Sequence, residues 1–281
     1  MSVTTLKETA WAKVNLALHV RARRADGYHE IESLFAFLDD GDVLTAEETS
    51  GDDIRLTIDG PFARDLAGGH ENLVLKAAHL LRERCGSPSM AANVQLTKRL
   101  PVASGIGGGS ADAAAALRLL IRLWGLSPSD ETLRDIALSL GSDVPACLLS
   151  QTQFVAGRGE RLETHGVRQV TGTPVLLVNP LQACPTGPVF RAWDQIDRGP
   201  LNPLDFRSGR NDLTMAAIAS LPAIADVLDA LASGTDATLI RMSGSGATCF
   251  ALFDSVQARD AGQHWIVEHY PQWWSMKGLL R

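Results

Sequence analysis

A glycine-rich segment is the residue pattern in this chain with the clearest chemical meaning. It reads Pro-Val-Ala-Ser-Gly-Ile-Gly-Gly-Gly-Ser-Ala-Asp over 101–112, and a strongly helical run follows it. Consecutive glycines let the backbone approach a ligand closely, and the free N–H groups of a first helical turn suit an anion. The segment therefore favours phosphate binding, although a flexible turn with Ser110 as a helix cap explains the same residues. Ser110 could also bind a phosphate oxygen or reach a metal ion.

The spacing of these glycines excludes the common nucleotide-binding motifs. The Gly-Lys-Ser/Thr of a Walker loop does not follow them, and Ser110 stands where a dinucleotide-binding fingerprint has its third glycine. The sequence also lacks the DFG and HRD motifs of protein kinases. A nucleoside triphosphate bound here would therefore belong to another class of protein.

Three further segments carry groups that could act chemically. Asp143, in the string 141–146, follows a predicted helix end and could be a general base, although such a residue more often bonds its own turn. The string Met242-Ser-Gly-Ser-Gly-Ala247 is a second glycine-rich turn, which a tight turn alone would explain. Lys13 and Asn15 share one face of a predicted strand, where a lysine commonly only protects a strand edge.

Hydrophobic spacing predicts the elements that must position these groups. Trp11 to Val20 alternates with a period of two, which predicts a half-buried strand. Asn72 can cap a helix that runs to about Cys85, a helix follows the glycines, and Ser127-Pro128 opens another that ends at Gly141. Further strands are predicted at 34–44 (with a turn at 39–42), 54–58, 92–98, 154–158, 175–178 and 249–253, a loop at 180–188, and helices at 213–220, 224–231 and 256–270.

These elements predict an α+β protein, because helices and strands mix without strict alternation. A chain of 281 residues suggests two domains at about 150 residues each, with 1–154 carrying the glycine loop and 155–281 following. The boundary near residue 155 is an expectation from the order of the elements.

Composition restricts the class of function. A net charge of −6 argues against a nucleic-acid partner, which needs a basic face, but not against a local phosphate site. The opening residues lack a signal-peptide layout and no apolar run approaches the roughly 18 residues of a membrane span, so a cytoplasmic protein without membrane contact is expected. The scattered cysteines predict reduced thiols rather than a zinc site; they are Cys85, Cys147, Cys184 and Cys249.

The four motifs, taken in order along the chain, resemble the GHMP kinase superfamily. Within it the chain is similar to the 4-diphosphocytidyl-2-C-methyl-D-erythritol kinases, and the string Arg24-Ala-Asp-Gly-Tyr-His-Glu30 is the most discriminating part of that similarity. Galactokinases, homoserine kinases and mevalonate kinases do not carry it in that place. The similarity also rests on the strings 12–20, Lys98-Arg-Leu-Pro101, 141–145, Pro185-Thr186 with Phe190, and Asn211-Asp-Leu213.

The resemblance implies a fold and a reaction. The fold is a GHMP kinase fold of two α+β domains, the first like ribosomal protein S5 domain 2 and the second ferredoxin-like. The reaction transfers the γ-phosphoryl group of ATP, with Mg²⁺, to the 2-hydroxyl of 4-diphosphocytidyl-2-C-methyl-D-erythritol, in non-mevalonate isoprenoid (terpenoid) synthesis. The partner is this small molecule, with no obligatory protein partner.

The resemblance also implies residue roles. Asp143 is the catalytic base, and Lys13 orients the hydroxyl and stabilises developing negative charge. On the substrate, Asn15 binds the erythritol portion, Thr186 lies near the diphosphate or erythritol, Tyr28 and Phe190 sandwich the cytosine and His29 reads its polar edge. The residues implied on the ATP side are Asn72, Lys98, Pro101, Gly105, Gly107, Gly108, Gly109 and Ser110, with Ser110 also near Mg²⁺.

Other interpretations remain at this point. Tyr28 and Phe190 could simply pack, His29 could be structural, and helix capping explains Asn72 without ATP. Asp112 stands where some members of the family have Asn, which adds a charge near the phosphates. The alternative functions are another GHMP enzyme, such as a mevalonate kinase or a diphosphate decarboxylase, and a catalytically silent nucleotide-binding protein.

Overall fold

The computed structural model describes residues 5–66 and 72–281 and shows the α+β architecture that the sequence predicts. The strands in this part of the chain are β1 (Thr5–Arg23), β2 (His29–Glu48), β3 (Ile54–Asp59), β4 (Ala92–Thr97), β5 (Gln153–Gly157), β6 (Arg161–Glu163), β7 (Pro174–Asn179), β8 (Leu239–Met242), β9 (Cys249–Leu252) and β10 (Trp274–Leu279). The helices are α1 (Leu73–Cys85), α2 (Gly108–Leu123), α3 (Asp130–Leu140), α4 (Val144–Leu149), α5 (Thr186–Arg191), α6 (Thr214–Ser220), α7 (Ala223–Gly234) and α8 (Val256–His269).

Two compact units are assembled from interleaved segments of the chain. Unit 1 comprises the described parts of Met1–Ala12, Asp40–Val102 and Gly108–Leu149. Unit 2 comprises Lys13–Asp39, Ala103–Gly107 and Ser150–Arg281. The long strands β1 and β2 therefore contribute to both units, and the glycine-rich segment changes unit after Val102 and again after Gly107. The boundary near residue 155, which divides the chain only once, stays a prediction.

Unit 1 combines strands with four helices. The later part of β2 pairs antiparallel with β4, from Val43 opposite Thr97 to Glu48 opposite Ala92, and β4 pairs parallel with β3. Asn72 caps α1 as predicted, because its Oδ1 accepts a hydrogen bond from the Val74 N–H at 2.8 Å. The small side chains of 113–116 are fully buried along α2, so neighbouring elements can approach this helix closely.

Unit 2 holds a second sheet. Its strands are antiparallel in the order β10-β7-β9-β8, and the early part of β2 pairs antiparallel with β5, which pairs with β6. β7 is buried along its whole length, and α6, α7 and α8 supply residues to the same hydrophobic core. Among the helices of the described residues, none alone is long and apolar enough to cross a membrane; α6 and α7 pass that test only as a pair, by length and composition, with a bend of 120°.

The prediction that the first strand is half-buried is wrong. Residues 12–20 of β1 are buried on both faces, and Lys13, Asn15 and His19 are only 4%, 2% and 2% exposed. Alternation shows which side chains are apolar, but it does not show which face solvent reaches. The polar face of β1 is satisfied internally, as a buried polar group requires.

The turn predicted at 39–42 is also wrong, since β2 runs through these residues without a break. The carboxylate of Asp40 pairs with the Arg99 guanidinium at 2.5 Å, and Asp42 accepts a hydrogen bond from the Leu100 N–H at 2.8 Å. A Cβ at Gly41 would lie 2.0 Å from the Ala10 carbonyl oxygen, so glycine permits close approach of the two strands there. The aspartates of this string therefore bond to residues outside it, and its glycine lets two strands pack closely.

Several short elements differ from their predictions. α3 begins at Asp130 rather than at Pro128, with the Ser129 hydroxyl accepting from the Thr132 N–H at 3.1 Å. α2 begins at Gly108, so Ser110 lies inside its first turn and is not its cap. The predicted loop at 180–188 includes the start of α5 at Thr186. α4, β6, β8 and β10 were not predicted.

Candidate functional site

Lys13 and Asn15 project together from β1, as the sequence predicts. The Lys13 ammonium donates a hydrogen bond to Asn15 Oδ1 at 2.9 Å and lies 4.3 Å from the centroid of the Phe35 ring. Asn15 Nδ2 donates in turn to the Ser33 hydroxyl at 2.9 Å. These contacts fix a buried cation in a defined position, which is the arrangement that electrostatic stabilisation of a developing negative charge requires.

The first part of the glycine-rich segment and the second glycine turn meet this strand inside unit 2. The Lys13 N–H donates to the Ile106 carbonyl at 3.0 Å. The Ser243 hydroxyl accepts from the Asn15 N–H at 3.1 Å and donates to the Gly105 carbonyl at 2.9 Å. Three motifs that are far apart in the sequence therefore form one hydrogen-bonded cluster.

Two glycines in the cluster are required by the packing itself. Gly105 has φ +77°, and a Cβ there would lie 2.5 Å from the carbonyl oxygen of Ser243 and 2.7 Å from that of Gly246. Gly107 has φ +66°, and a Cβ there would lie 2.9 Å from Lys13 Cε. Both positions combine a left-handed backbone with a close neighbour, so a larger residue would displace the loop or the lysine.

The second part of the segment forms the N-terminus of α2 in unit 1. Gly109 is exposed and Gly108 and Ser110 are half-buried, whereas 111–117 are buried. A Cβ at Gly108 would lie 3.1 Å from the Lys98 ammonium. An accessible helix N-terminus with a cation beside its first turn has the chemistry of a phosphate site.

Lys98 belongs to a buried ionic cluster in unit 1. Its ammonium is 2.5 Å from Asp42 Oδ2 and 2.6 Å from Asp112 Oδ2, and Lys98 is 2% exposed. Asp112 Oδ1 is buried without a hydrogen-bond partner in the described part of the chain. The cluster ties the first turns of α2 to β2 and to the residue after β4. The Lys98 ammonium is thereby occupied by two carboxylates, and its predicted position on the ATP side stays a prediction.

Burial dominates the titration of this cluster. It raises the pKa of the Asp112 carboxyl to about 7, a change that the Lys98 ammonium opposes and Asp42 reinforces. Burial alone would lower the pKa of Lys98, but the two carboxylates outweigh it and the pKa is raised. One cation between two carboxylates has a net charge of −1, and a proton on Asp112 neutralises it.

Replacing Asp112 with asparagine is expected to flatten the pH dependence of the free energy of unfolding. Because the folded pKa of about 7 lies above the ordinary 3.8, the folded chain holds a proton that the unfolded chain releases. The stabilisation from this proton is complete below the unfolded pKa, falls by about 1.4 kcal/mol per pH unit as the pH rises from 3.8 towards 7, and is lost above 7. Urea unfolding at several pH values between 5 and 8 measures the slope, with the exposed Asp229→Asn as control. Equal slopes in wild type and Asp112→Asn would contradict the assignment.

Asp143 lies in unit 1, between the Gly141 that ends α3 and the first residue of α4. Its carbonyl accepts from the Cys147 N–H at 3.0 Å, which starts α4, and the residue is half-buried. The backbone of Asp143 is therefore fixed by two helix ends. Its role as a base stays a prediction.

An aromatic group in unit 2 contains two of the predicted cytosine contacts. The His29 ring centroid lies 5.1 Å from that of Phe190 at an interplanar angle of 42°. Trp193 meets the same imidazole edge-on, at 5.9 Å and 83°. Tyr28 is 58% exposed and its ring packs against the guanidinium of Arg158 at 5.2 Å. The structure therefore brings Phe190 to His29, while Tyr28 contacts a different residue.

Thr186 is tied to the second glycine turn. Its hydroxyl is 2.9 Å from the Ser245 hydroxyl, and Asn211 Nδ2 donates to the carbonyls of Met242 and Gly244, both at 2.8 Å. Ser245 and Asn211 were not predicted as site residues. Asn211 belongs to a string on which the family resemblance rests, and that string could have indicated it as a site residue. Ser245 gave no separate signal, because a tight turn already explained the glycine-rich string in which it lies.

No group of three or more His, Cys, Asp or Glu side chains in residues 5–66 and 72–281 is arranged to hold a metal ion. Polar groups gather beside the glycine-rich segment in the Lys13 cluster of unit 2 and in the Lys98 cluster of unit 1. Each places an ammonium group against a part of the glycine-rich segment.

Comparison with known proteins identifies relatives that cover the whole chain. The family description "GHMP kinases N terminal domain" matches residues 72–151, and "GHMP kinases C terminal" matches 190–272. The chain is 52% identical to the 4-diphosphocytidyl-2-C-methyl-D-erythritol kinase of Sphingopyxis alaskensis, covering 99% of each chain. It is 51% identical to that of Rhizorhabdus wittichii, covering 98% of this chain and 94% of the relative. A crystal structure of 4-(cytidine 5'-diphospho)-2C-methyl-D-erythritol kinase matches with a TM-score of 0.77 and 32% identity, covering 98% of this chain and 99% of the other.

Proposed function

The chain belongs to the 4-diphosphocytidyl-2-C-methyl-D-erythritol kinases of the GHMP family, and we propose that it transfers the γ-phosphoryl group of ATP to the 2-hydroxyl of that substrate. The observation that carries the proposal is the cluster of Lys13, the loop at 103–107 and the glycine turn at 243–246. A fixed cation beside a glycine loop supports phosphoryl transfer, which depends on positioning and charge compensation. The products would be ADP and the 2-phosphate of the substrate.

Asp143 would act as the base and Lys13 as the cation of this reaction. A carboxylate can accept the proton of the attacking hydroxyl as the new oxygen–phosphorus bond forms. The Lys13 ammonium, held by Asn15 and against Phe35, can orient an oxygen and stabilise the charge that develops on it. Asn15 is held by Lys13 and Ser33, and its amide would bind the erythritol portion of the substrate.

The accessible first turn of α2 would bind the phosphates of ATP, together with the loop before it. Backbone N–H groups at Gly107, Gly108 and Gly109 suit phosphate oxygens because no Cβ blocks their approach. Mg²⁺ fits a site made of phosphate oxygens, waters and the Ser110 hydroxyl, since it prefers hard oxygen ligands. When bound, it would neutralise charge on the phosphates. Lys98 and Asn72 would support the ATP site by holding its helices in place, since Lys98 anchors α2 and Asn72 caps α1. Pro101 would belong to the same site as part of the segment that leads to the loop.

The cytosine ring would stack on Phe190, with His29 at its polar edge. Phe190 and His29 already lie in contact, and Thr186 stands at the start of the same helix as Phe190. Tyr28, exposed at the turn before β2, would complete the sandwich when the substrate binds. A cytoplasmic location, and the absence of nucleic-acid, membrane and obligatory protein partners, stay predictions.

Replacing Phe190 with alanine is expected to raise the KM for the cytidylated substrate more than it lowers kcat. Stacking is worth about 1 to 3 kcal/mol per base, so a rise in KM of about tenfold is expected. Stacking binds the ground state and the transition state alike, and its loss therefore leaves kcat largely intact. Steady-state kinetics at saturating ATP measures both parameters, with Phe190→Tyr as the variant that keeps the ring. An unchanged KM in Phe190→Ala would remove the stacking role.

The function itself is tested by ADP release. Purified protein with ATP and Mg²⁺ should release ADP when 4-diphosphocytidyl-2-C-methyl-D-erythritol is added, with the phosphate found on the 2-hydroxyl. Release with mevalonate but not with the cytidylated substrate would favour another GHMP kinase. Folded protein that binds ATP but turns over neither substrate would favour the non-catalytic alternative.

A further inference from the structure

A short segment around Asn211 lies along β1 and is bonded to it on both sides of this residue. The Leu18 N–H donates to the Arg210 carbonyl at 2.8 Å, and the Asp212 N–H donates to the Leu18 carbonyl at 2.9 Å. These two bonds pair Leu18 with Asn211 in parallel. The Asp212 carboxylate also accepts from the Val20 N–H at 2.8 Å. The backbone of Asn211 therefore has a defined position on β1.

The amide nitrogen of Asn211 uses both of its donors on backbone carbonyls. Nδ2 donates to the carbonyls of Met242 and Gly244, both at 2.8 Å, and Oδ1 accepts from the Leu213 N–H at 3.0 Å. Asn211 is 7% exposed, so loss of its two donors would leave buried carbonyls unsatisfied. The two carbonyls lie on either side of Ser243 in the second glycine turn.

The residue between these carbonyls joins the turn to the glycine loop. The Ser243 hydroxyl accepts from the Asn15 N–H at 3.1 Å and donates to the Gly105 carbonyl at 2.9 Å. A Cβ at Gly244 would lie 2.9 Å from the same Gly105 oxygen, so the two backbones are in close contact. Because peptide units are planar, holding the carbonyls of Met242 and Gly244 restricts the movement of Ser243 and of its hydroxyl.

We propose that Asn211 is a positioning residue for the part of the ATP site formed by the loop at 103–107. It holds the second glycine turn, and Ser243 of that turn holds the loop against Asn15 in β1. This inference rests on the proposed function, in which the loop binds the phosphates of ATP. Both donors of Asn211 are occupied by carbonyls, so its effect on ATP passes through the turn.

The same chain of contacts extends to the proposed cation of the reaction. The Ile106 carbonyl of the loop accepts from the Lys13 N–H at 3.0 Å, and a Cβ at Gly107 would lie 2.9 Å from Lys13 Cε. A loop that is no longer held by Ser243 would therefore change the surroundings of the ammonium as well as the phosphate site. Small displacements of this kind lower the rate of a reaction that depends on positioning.

The experiment measures the Kd for ATP with Mg²⁺ by calorimetry, and kcat by ADP release, in wild type and Asn211→Asp. The variant keeps the size of the side chain and the oxygen that accepts from Leu213, but it presents an oxygen to the two carbonyls in place of the N–H donors. The Kd for ATP should rise about tenfold because the turn loses both bonds, and kcat should fall by about ten- to hundredfold. A purely structural role would lower the stability without changing the ATP affinity of the folded fraction.

Asn179→Asp is the matched control in the same unit. Asn179 is 2% exposed, and its Oδ1 accepts from the Leu181 N–H at 2.7 Å, which is the bond that Asn211 makes to Leu213. Its Nδ2 donates to the Thr248 hydroxyl at 2.8 Å. A hydroxyl can turn and donate to a carboxylate, whereas a carbonyl cannot, so the Kd for ATP should stay within about twofold of wild type.

A double-mutant cycle with Ser243→Ala tests the route of the effect. Ser243→Ala removes the hydroxyl through which Asn211 is proposed to act, and it should weaken ATP binding by itself. In that background, Asn211→Asp should raise the Kd for ATP by less than about twofold further. An unchanged Kd in folded Asn211→Asp, an equal rise in Asn179→Asp, or additive rises in the double variant would each overturn the proposal.

Two further measurements keep the result interpretable. Asn211→Ala, which lacks both donors and adds no charge, replaces Asn211→Asp if that variant does not fold, with the same expected rise in Kd. A wild type that binds ATP but does not phosphorylate the cytidylated substrate refutes the proposed function, while the ATP affinities of the variants still decide the role of Asn211. A wild type that does not bind ATP would overturn both.

Discussion

Asp143→Asn is expected to lower kcat by about 10² to 10⁴-fold, because an amide cannot accept the proton of the attacking hydroxyl. The substitution keeps the size and shape of the side chain, and the hydrogen bond from the Cys147 N–H to the Asp143 carbonyl at the start of α4 does not involve the carboxylate. The fold should therefore be unchanged. ATP binding, measured by calorimetry, should remain measurable while turnover falls.

The control for this prediction is Asp135→Asn, which removes an exposed carboxylate from α3 in the same unit. It should retain the wild-type rate, so that a loss in Asp143→Asn cannot be ascribed to a change in net charge. Turnover of Asp143→Asn at the wild-type rate would show that another group, or water alone, accepts the proton. Equal losses of ATP affinity and kcat would indicate damage to the nucleotide site instead.

Local patterns predicted the longer elements of the fold. α1 begins after Asn72 and ends before Gly86 because its cap and its stop are local signals, and both are present as predicted. The burial of β1 was not predictable in the same way. Whether a strand is covered on its second face depends on elements distant in sequence. Lys13 and Asn15 are residue types that are typical of a surface, and only the structure shows that Phe35 and Ser33 contact them.

The candidate site also contains residues that local patterns predict and residues that they do not. Residue types and order predicted Lys13, the glycine loop, Asp143 and the second glycine turn as parts of the site, because these motifs are contiguous. Asp42 was missed, since its part in the ionic cluster depends on a tertiary contact with Lys98. An Asp-Gly string predicts a turn from its composition alone, and only the structure shows that the Asp42 carboxylate is buried beside an ammonium.

Gly105→Ala is expected to lower the free energy of unfolding by about 2 to 6 kcal/mol, the sum of a strained backbone and a steric collision. The residue has φ +77°, which an alanine adopts only at a cost, and the new methyl group would lie 2.5 Å from the Ser243 carbonyl oxygen. Backbone atoms cannot rotate away as a flexible side chain can. The loop and the glycine turn would have to separate, which would break the bond from Ser243 to Gly105 and displace the neighbouring Ile106 from Lys13. Chemical unfolding measures the loss of stability, and the KM for ATP should rise in any folded fraction.

Gly125→Ala separates the two causes of this loss. Gly125 also has a positive φ, +62°, but a Cβ there would meet nothing within 4 Å. It should therefore lose only the conformational part, about 1 to 3 kcal/mol, with the KM for ATP unchanged. The difference between the two variants measures the collision with the glycine turn. Equal losses of stability would mean that the loop at Gly105 can move away from Ser243 at little cost. The inference that the hydrogen-bonded cluster is rigid, on which the proposed function rests, would then be wrong.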